Sequence, residues 1–285
     1  MGKPGDGVGV FKHITSSANI AVREAARLRR KRHRYKRRLF LTEGEDLLDS
    51  ALMRSVIPRQ VFVLEGEDKI VQRVRESAAA PGRPGPAVEI LTCSREVLDK
   101  LSELGSSSRV AAVFQMPDLK FPGRLEDGPR EPCPYLYLAG AGDPGNVGTL
   151  IRSAAALGAD AVLLGPETAD PYSSKSLRAT MGAVFQLPLY LTVNPEALAS
   201  WAERAGIGIV CADAHAGEPV WRASLEGSFV LVMGSEREGI PRRLIDAAAS
   251  TVRIPQSAAA ESLNVAMAGT AILYEALRQR SPGRQ

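Results

Sequence analysis

The sequence predicts an α/β protein in two domains. Short apolar, β-branched runs alternate with longer segments of helical period along nearly the whole chain. One stretch rich in Pro, Gly and charge, residues 117–133, interrupts that alternation. Several of the apolar runs end in Gly- or Pro-bearing turns that open helices, the pattern of a largely parallel sheet. With 285 residues, 45% of them hydrophobic, the chain can bury two ordinary cores.

Residues 1–13 are Gly-rich and read as disordered. Residues 14–116 read as a small α/β domain. It opens with a basic helix: residues 23–38 hold ten Lys or Arg against one Glu, with His33 and Tyr35 among them. Like charges at that density repel within a helix, and a polyanion relieves the repulsion while releasing counterions. Arg29, Arg30, Lys31, Arg32, Arg34, Lys36 and Arg37 are therefore candidate RNA contacts. Strands are expected at 39–42, 60–64, 88–91 and 110–115, with helices at 44–54, 71–78 and 95–104, giving a parallel or mixed sheet.

After the linker at 117–133, residues 134–285 read as a second domain. Its strands are expected at 135–141, 161–164, 189–191, 208–212, 229–233 and 251–254. The last helix, with Ser262 as its expected N-cap, is apolar on nearly every side and should be buried or shared with another subunit.

Composition excludes several classes. No apolar run approaches membrane-spanning length, and the N-terminus lacks a signal-peptide core. The net charge is +4, and three scattered cysteines, Cys93, Cys133 and Cys211, lack metal-ligand spacing. A reduced, cytoplasmic protein without a metal is expected. The Gly-Lys-Ser/Thr ending of a triphosphate-binding loop is missing, and so is a full Gly-x-Gly-x-x-Gly dinucleotide fingerprint.

Three segments at strand ends carry the chemistry. The first is Asn146-x-Gly148-x-x-x-Arg152, the second Gly234-Ser-Glu236-x-x-Gly239, and the third Ile254-Pro255 followed by Ser262-Leu263-Asn264. In this order they resemble the motifs of the SpoU/TrmH family of RNA ribose 2′-O-methyltransferases, in the SPOUT class. The run from Arg38 to Leu48 resembles that family's substrate-binding domain. Within the family the chain is similar to 23S rRNA enzymes of the kind that confer avilamycin or thiostrepton resistance.

The resemblance implies an L30e-like first domain and a SPOUT parallel-sheet domain with a deep trefoil knot, which general topology rules disfavour. It implies a homodimer, S-adenosylmethionine as cofactor and ribosomal RNA, 23S favoured, as partner. It assigns catalytic roles to Arg152, Asn146, Glu236, Ser262 and Asn264. It places Met233, Gly234, Gly239, Ile254 and Leu263 at the cofactor, with Ala212 and Asp213 lining the same pocket. A guanidinium stays charged at any working pH, so Arg152 is expected to hold RNA phosphate and stabilise the forming alkoxide rather than act as a base. A tRNA ribose methyltransferase and a non-catalytic RNA-binding or ribosome-assembly protein of the same fold are the alternatives.

Overall fold

The computed structural model describes residues 8–80, 87–103, 108–126, 128–129, 131–257 and 263–281. The chain divides into two compact units, Met1–Pro117 with Tyr172–Phe185, and Asp118–Pro171 with Gln186–Gln285.

The first unit runs β1 (Val8–Ile14), α1 (Ile20–Arg27), α2 (Lys31–Arg37), β2 (Leu39–Glu43), α3 (Glu45–Met53), β3 (Gln60–Leu64), α4 (Asp68–Ala78), β4 (Val88–Cys93), α5 (Arg95–Leu101) and β5 (Val110–Gln115). Its five-stranded sheet has the order β1-β4-β3-β5-β2. β4 runs parallel to β1 and β3, and β5 antiparallel to β3 and β2, so the sheet is mixed. Residues 8–13, expected to be disordered, instead belong to the edge strand β1, in register with β4.

The expected single basic helix is two helices. Asn19 caps α1 by accepting from the Ala21 amide at 2.8 Å. The chain then turns at 28–30, and Arg34 reaches back from α2. Its Nη1 donates to the Leu28 and Arg29 carbonyls at 2.8 and 2.6 Å, satisfying groups that the end of α1 leaves without partners. Arg38 ends α2 in the left-handed region, at φ 56°.

The second unit contributes β6 (Pro134–Ala139), α6 (Pro144–Ala156) and β7 (Ala161–Leu164). After α7 (Ser174–Thr180) come β8 (Leu189–Tyr190), α8 (Pro195–Arg204), β9 (Gly208–Ala212), β10 (Glu218–Pro219), β11 (Phe229–Gly234), α9 (Arg242–Asp246), β12 (Ser250–Arg253) and α10 (Val265–Arg280). Its sheet has the order β10-β12-β9-β11-β6-β7-β8, with every neighbouring pair parallel. Tyr135, Leu136, Tyr137 and Leu138 on β6, and Val230, Leu231 and Val232 on β11, are fully buried, which is why these strands read as unbroken apolar runs.

Two segments group differently from the sequence reading. Tyr172–Phe185, with α7, counts with the first unit, where Tyr172 and Phe185 join an aromatic cluster with Phe40 and Phe114 at ring separations of 4.7–6.0 Å. The stretch expected as a linker packs into the core of the second unit instead. Leu125 is 2% exposed there, its carbonyl accepts from Trp201 Nε1 at 2.9 Å, and Phe121 sits edge-on to Trp201. Among the described residues, no helix is long and apolar enough to cross a membrane.

Candidate functional site

A cleft of about 490 Å³ opens beyond the carboxyl ends of β9, β11 and β12, the edge of a parallel sheet where α/β proteins place ligands. β11 leads into a tight turn. The amides of Ser235 and Gly239 each donate to the other's carbonyl at 3.1 Å, and Glu238 N donates to Ser235 Oγ at 2.9 Å. Gly239 holds φ +69°, a conformation an L side chain rarely adopts. Gly234 is needed for a different reason: a Cβ there would lie 2.6 Å from the Gly239 carbonyl carbon. All six residues expected at the cofactor line this one cleft: Ala212, Met233, Gly234, Gly239, Ile254 and Leu263. Asp213 and Glu236 line it too.

At the edge of the cleft three motif residues meet. Asp143 caps α6 by accepting from the Asn146 amide at 3.0 Å, and Pro144 occupies the first turn, which fixes where α6 begins. From there Asn146 Nδ2 donates to Glu236 Oε1 at 3.0 Å. Asn264 Nδ2 in turn donates to Asn146 Oδ1 at 3.0 Å. The N-cap of α10 is Asn264, which accepts from the amides of Ala266 and Met267. The sequence reading had put that cap at Ser262, which lies outside the described residues, as does any role for its hydroxyl.

Arg152 stands apart from this cluster. It lies six residues beyond Asn146 on α6, about 9 Å of rise and a third of a turn off its face. The side chain is exposed, does not line the cleft, and makes no hydrogen bond or ion pair among the described residues. His215, Arg253 and Gln256 also line the cleft and were not singled out from sequence. Their positions at or just after the ends of β9 and β12 were the available signal.

A family model for the SpoU rRNA methylase family matches residues 134–274, and one for the MRM3-like substrate binding domain matches residues 19–112. The chain is 28% identical over 264 residues to 23S rRNA (guanosine(2553)-2′-O)-methyltransferase RlmP of Bacillus subtilis, covering 93% of this chain and 98% of that one. It is 37% identical over 199 residues to the 23S rRNA (uridine(2479)-2′-O)-methyltransferase of Streptomyces viridochromogenes, covering 65% and 67% respectively. An AdoMet-bound rRNA methyltransferase from Sinorhizobium meliloti superposes with a TM-score of 0.83 at 32% identity, covering 95% of this chain and 98% of that one. The chain belongs to the SpoU rRNA methylase family.

Within this SpoU protein the cations of the first unit fall into two groups. Arg29 donates to the Lys100 and Ser102 carbonyls, and Arg34 is 4% exposed at the α1–α2 turn. Arg37 pairs with Glu24 at 2.8 Å, and Lys31 sits 5.7 Å from the Tyr35 ring centre. Arg30, Arg32 and Lys36 are exposed and have no hydrogen-bonded or ionic side-chain partner among the described residues. Four of the seven expected RNA contacts thus have partners within the chain, and the face left without them is smaller than charge counting suggested.

Proposed function

We propose that this chain moves the methyl group of S-adenosylmethionine to a ribose 2′-hydroxyl of ribosomal RNA, in the 23S molecule. The observation that carries the reading is the convergence at the cleft. Residues from the ends of three strands and the start of α10 line it, and Asn146, Glu236 and Asn264 are hydrogen-bonded at its edge. Both compared relatives are named for ribose 2′-O-methylation of 23S rRNA, and they act on different nucleotides.

The cleft fits the cofactor. Its volume lies in the range of small-molecule sites, and its wall at Gly234 and Gly239 is main chain that leaves no space for a side chain at 234. When bound, S-adenosylmethionine supplies a methyl group already activated on a sulfonium. The carboxylates of Glu236 and Asp213 favour a cation there, while apolar Met233, Ile254 and Leu263 exclude water. The Asn146 amide holds the Glu236 carboxylate in one orientation. Arg152 takes the RNA phosphate and stabilises negative charge on the 2′-oxygen; as that oxygen bonded the methyl carbon, the carbon–sulfur bond would break to leave a neutral thioether, and the hydroxyl proton would pass to phosphate or water.

A second copy of the chain completes the arrangement. Leu263, Met267 and Tyr274 are 41%, 62% and 61% exposed at the start and along one side of α10, an apolar stripe that dimerisation would cover. The mixed first sheet supports an L30e-like RNA-binding module, and the all-parallel second sheet supports the knotted SPOUT form. The reaction takes place in the cytoplasm, where ribosomal RNA resides. The resemblance of the motifs to enzymes of the avilamycin- or thiostrepton-resistance kind extends the reading to antibiotic resistance: a methyl group at a drug-contacting ribose would block the drug sterically.

Incubation with labelled S-adenosylmethionine and 23S rRNA, followed by mapping of 2′-O-methyl groups through their block to alkaline cleavage, tests the activity. One blocked position is expected, and none would refute the proposal. Expression in a sensitive strain, scored for survival on avilamycin and thiostrepton, tests the resistance role.

A further inference from the structure

We infer that Ser153 and Thr270 form a positioning pair that fixes the rotation of α6 and thereby the seat of Arg152. The inference rests on the methyltransferase reading, in which Arg152 acts on the RNA. Ser153 Oγ and Thr270 Oγ1 lie 2.7 Å apart, joining α6 to α10 across 117 residues of sequence. Thr270 Oγ1 donates its one proton to the Ala266 carbonyl at 2.7 Å, so the shared proton of the pair comes from Ser153. Ser153 is 9% exposed, and a buried hydroxyl keeps the partner it has.

The pair closes a loop of polar contacts. At one end Asn146 on α6 meets Asn264, which caps α10 through Ala266 N. At the other end Ser153 meets Thr270, whose hydroxyl returns to the same residue, Ala266. Between the two ends Leu150 packs on Gly269, so closely that a Cβ on Gly269 would lie 2.5 Å from Leu150 Cδ2. Asn146, Leu150 and Ser153 recur at i, i+4 and i+7, one face of α6, and that face is held at three levels. Arg152 lies on a different face, with no hydrogen-bonded or ionic partner among the described residues. No described residue on its own side fixes its direction, so the anchored face does.

Single-turnover methyl transfer and calorimetric S-adenosylmethionine binding, measured on Ser153→Ala, Thr270→Val and Thr270→Ser, test the pair. Ser153→Ala and Thr270→Val are expected to lower the transfer rate about tenfold, within the cost of a misplacement near 1 Å. Cofactor affinity should stay within about twofold, and Thr270→Ser, which keeps the hydroxyl, should match wild type. In an Arg152→Lys background, Ser153→Ala should cost less than about twofold more, because the group it positions has already lost its fork. Wild-type rates in Ser153→Ala and Thr270→Val, a full tenfold loss in the Arg152→Lys background, or cofactor affinity falling in step with rate would each overturn the inference. A wild-type protein that binds cofactor but methylates no RNA would overturn the functional reading instead.

Discussion

Asn264 donates to Asn146 at 3.0 Å while Asn146 donates to Glu236 at the same distance, so one carboxamide is gripped through both its oxygen and its nitrogen. Only a side chain with an acceptor and a donor on the same planar group can do this, which fixes its orientation without ambiguity. The residues come from the start of α6, the turn after β11 and the cap of α10. One short side chain therefore ties the start of α6 to two segments 90 and 118 residues from it in sequence.

Asn146→Asp keeps the shape and removes the donor. Two carboxylates would then face each other across a hydrogen-bond distance, and one must bind a proton or move away. Methyl transfer should fall about a hundredfold at pH 8 and recover in part toward pH 6, where one proton can be shared. A pH–rate profile of the variant parallel to that of wild type would show that Asn146 does not orient Glu236.

Apart from β1 and the two-residue β10, the strands of both units were legible, because strands of a covered sheet are apolar over most of their length, as 229–233 and 161–164 are. The cleft was legible because a Gly/Pro turn after such a strand leaves main chain exposed at its carboxyl end. Position 264 was missed as the cap because Ser and Asn cap equally well, and Ser262 came first. The α1–α2 break left no Gly or Pro in the sequence. It is held by Arg34, a long-range contact that local charge counting read as a free cation. Similarly, the 117–133 stretch has linker composition, yet Leu125 and Phe121 have large apolar surfaces that the Trp201 region buries.

Gly234→Ala isolates the cofactor wall. The added methyl would meet the Gly239 carbonyl carbon at 2.6 Å and its oxygen at 2.8 Å, main-chain atoms held by the Ser235–Gly239 pair. Relief requires that turn to shift into the cleft. Calorimetry should show S-adenosylmethionine affinity down by at least about tenfold, with the thermal midpoint lowered by only a few degrees. Unchanged affinity would place the cofactor elsewhere.

The cysteines should be chemically silent in the native protein. Burial pushes the Cys93 and Cys211 thiols up to about 12, and burial also raises Cys133. At pH 8 a thiol with that value is thiolate about once in ten thousand, and its reactivity climbs about tenfold per pH unit until the pKa is reached. Cys211 adjoins Ala212 of the cleft and donates weakly to the Leu244 carbonyl at 3.7 Å. Ellman titration at pH 8 should therefore count no rapid thiol from Cys93 or Cys211 before denaturant and three thiols after it. A rapid Cys211 would mean that β9 opens beside the site.

The basic segment separates surface from scaffold. Removing Arg32 or Lys36, exposed one turn apart on α2 and without a side-chain partner among the described residues, should weaken RNA binding alike for every sequence. Each removal should lower the slope of log affinity against log salt by about one, with no change in thermal midpoint. Arg34→Ala should do the reverse. It abandons the Leu28 and Arg29 carbonyls at the end of α1, so the thermal midpoint should drop by several degrees while the salt slope of the folded protein stays unchanged. If Arg34→Ala instead lowered the salt slope at constant stability, the guanidinium would be reaching phosphate rather than closing the helix, and the division between the two groups of cations would fail.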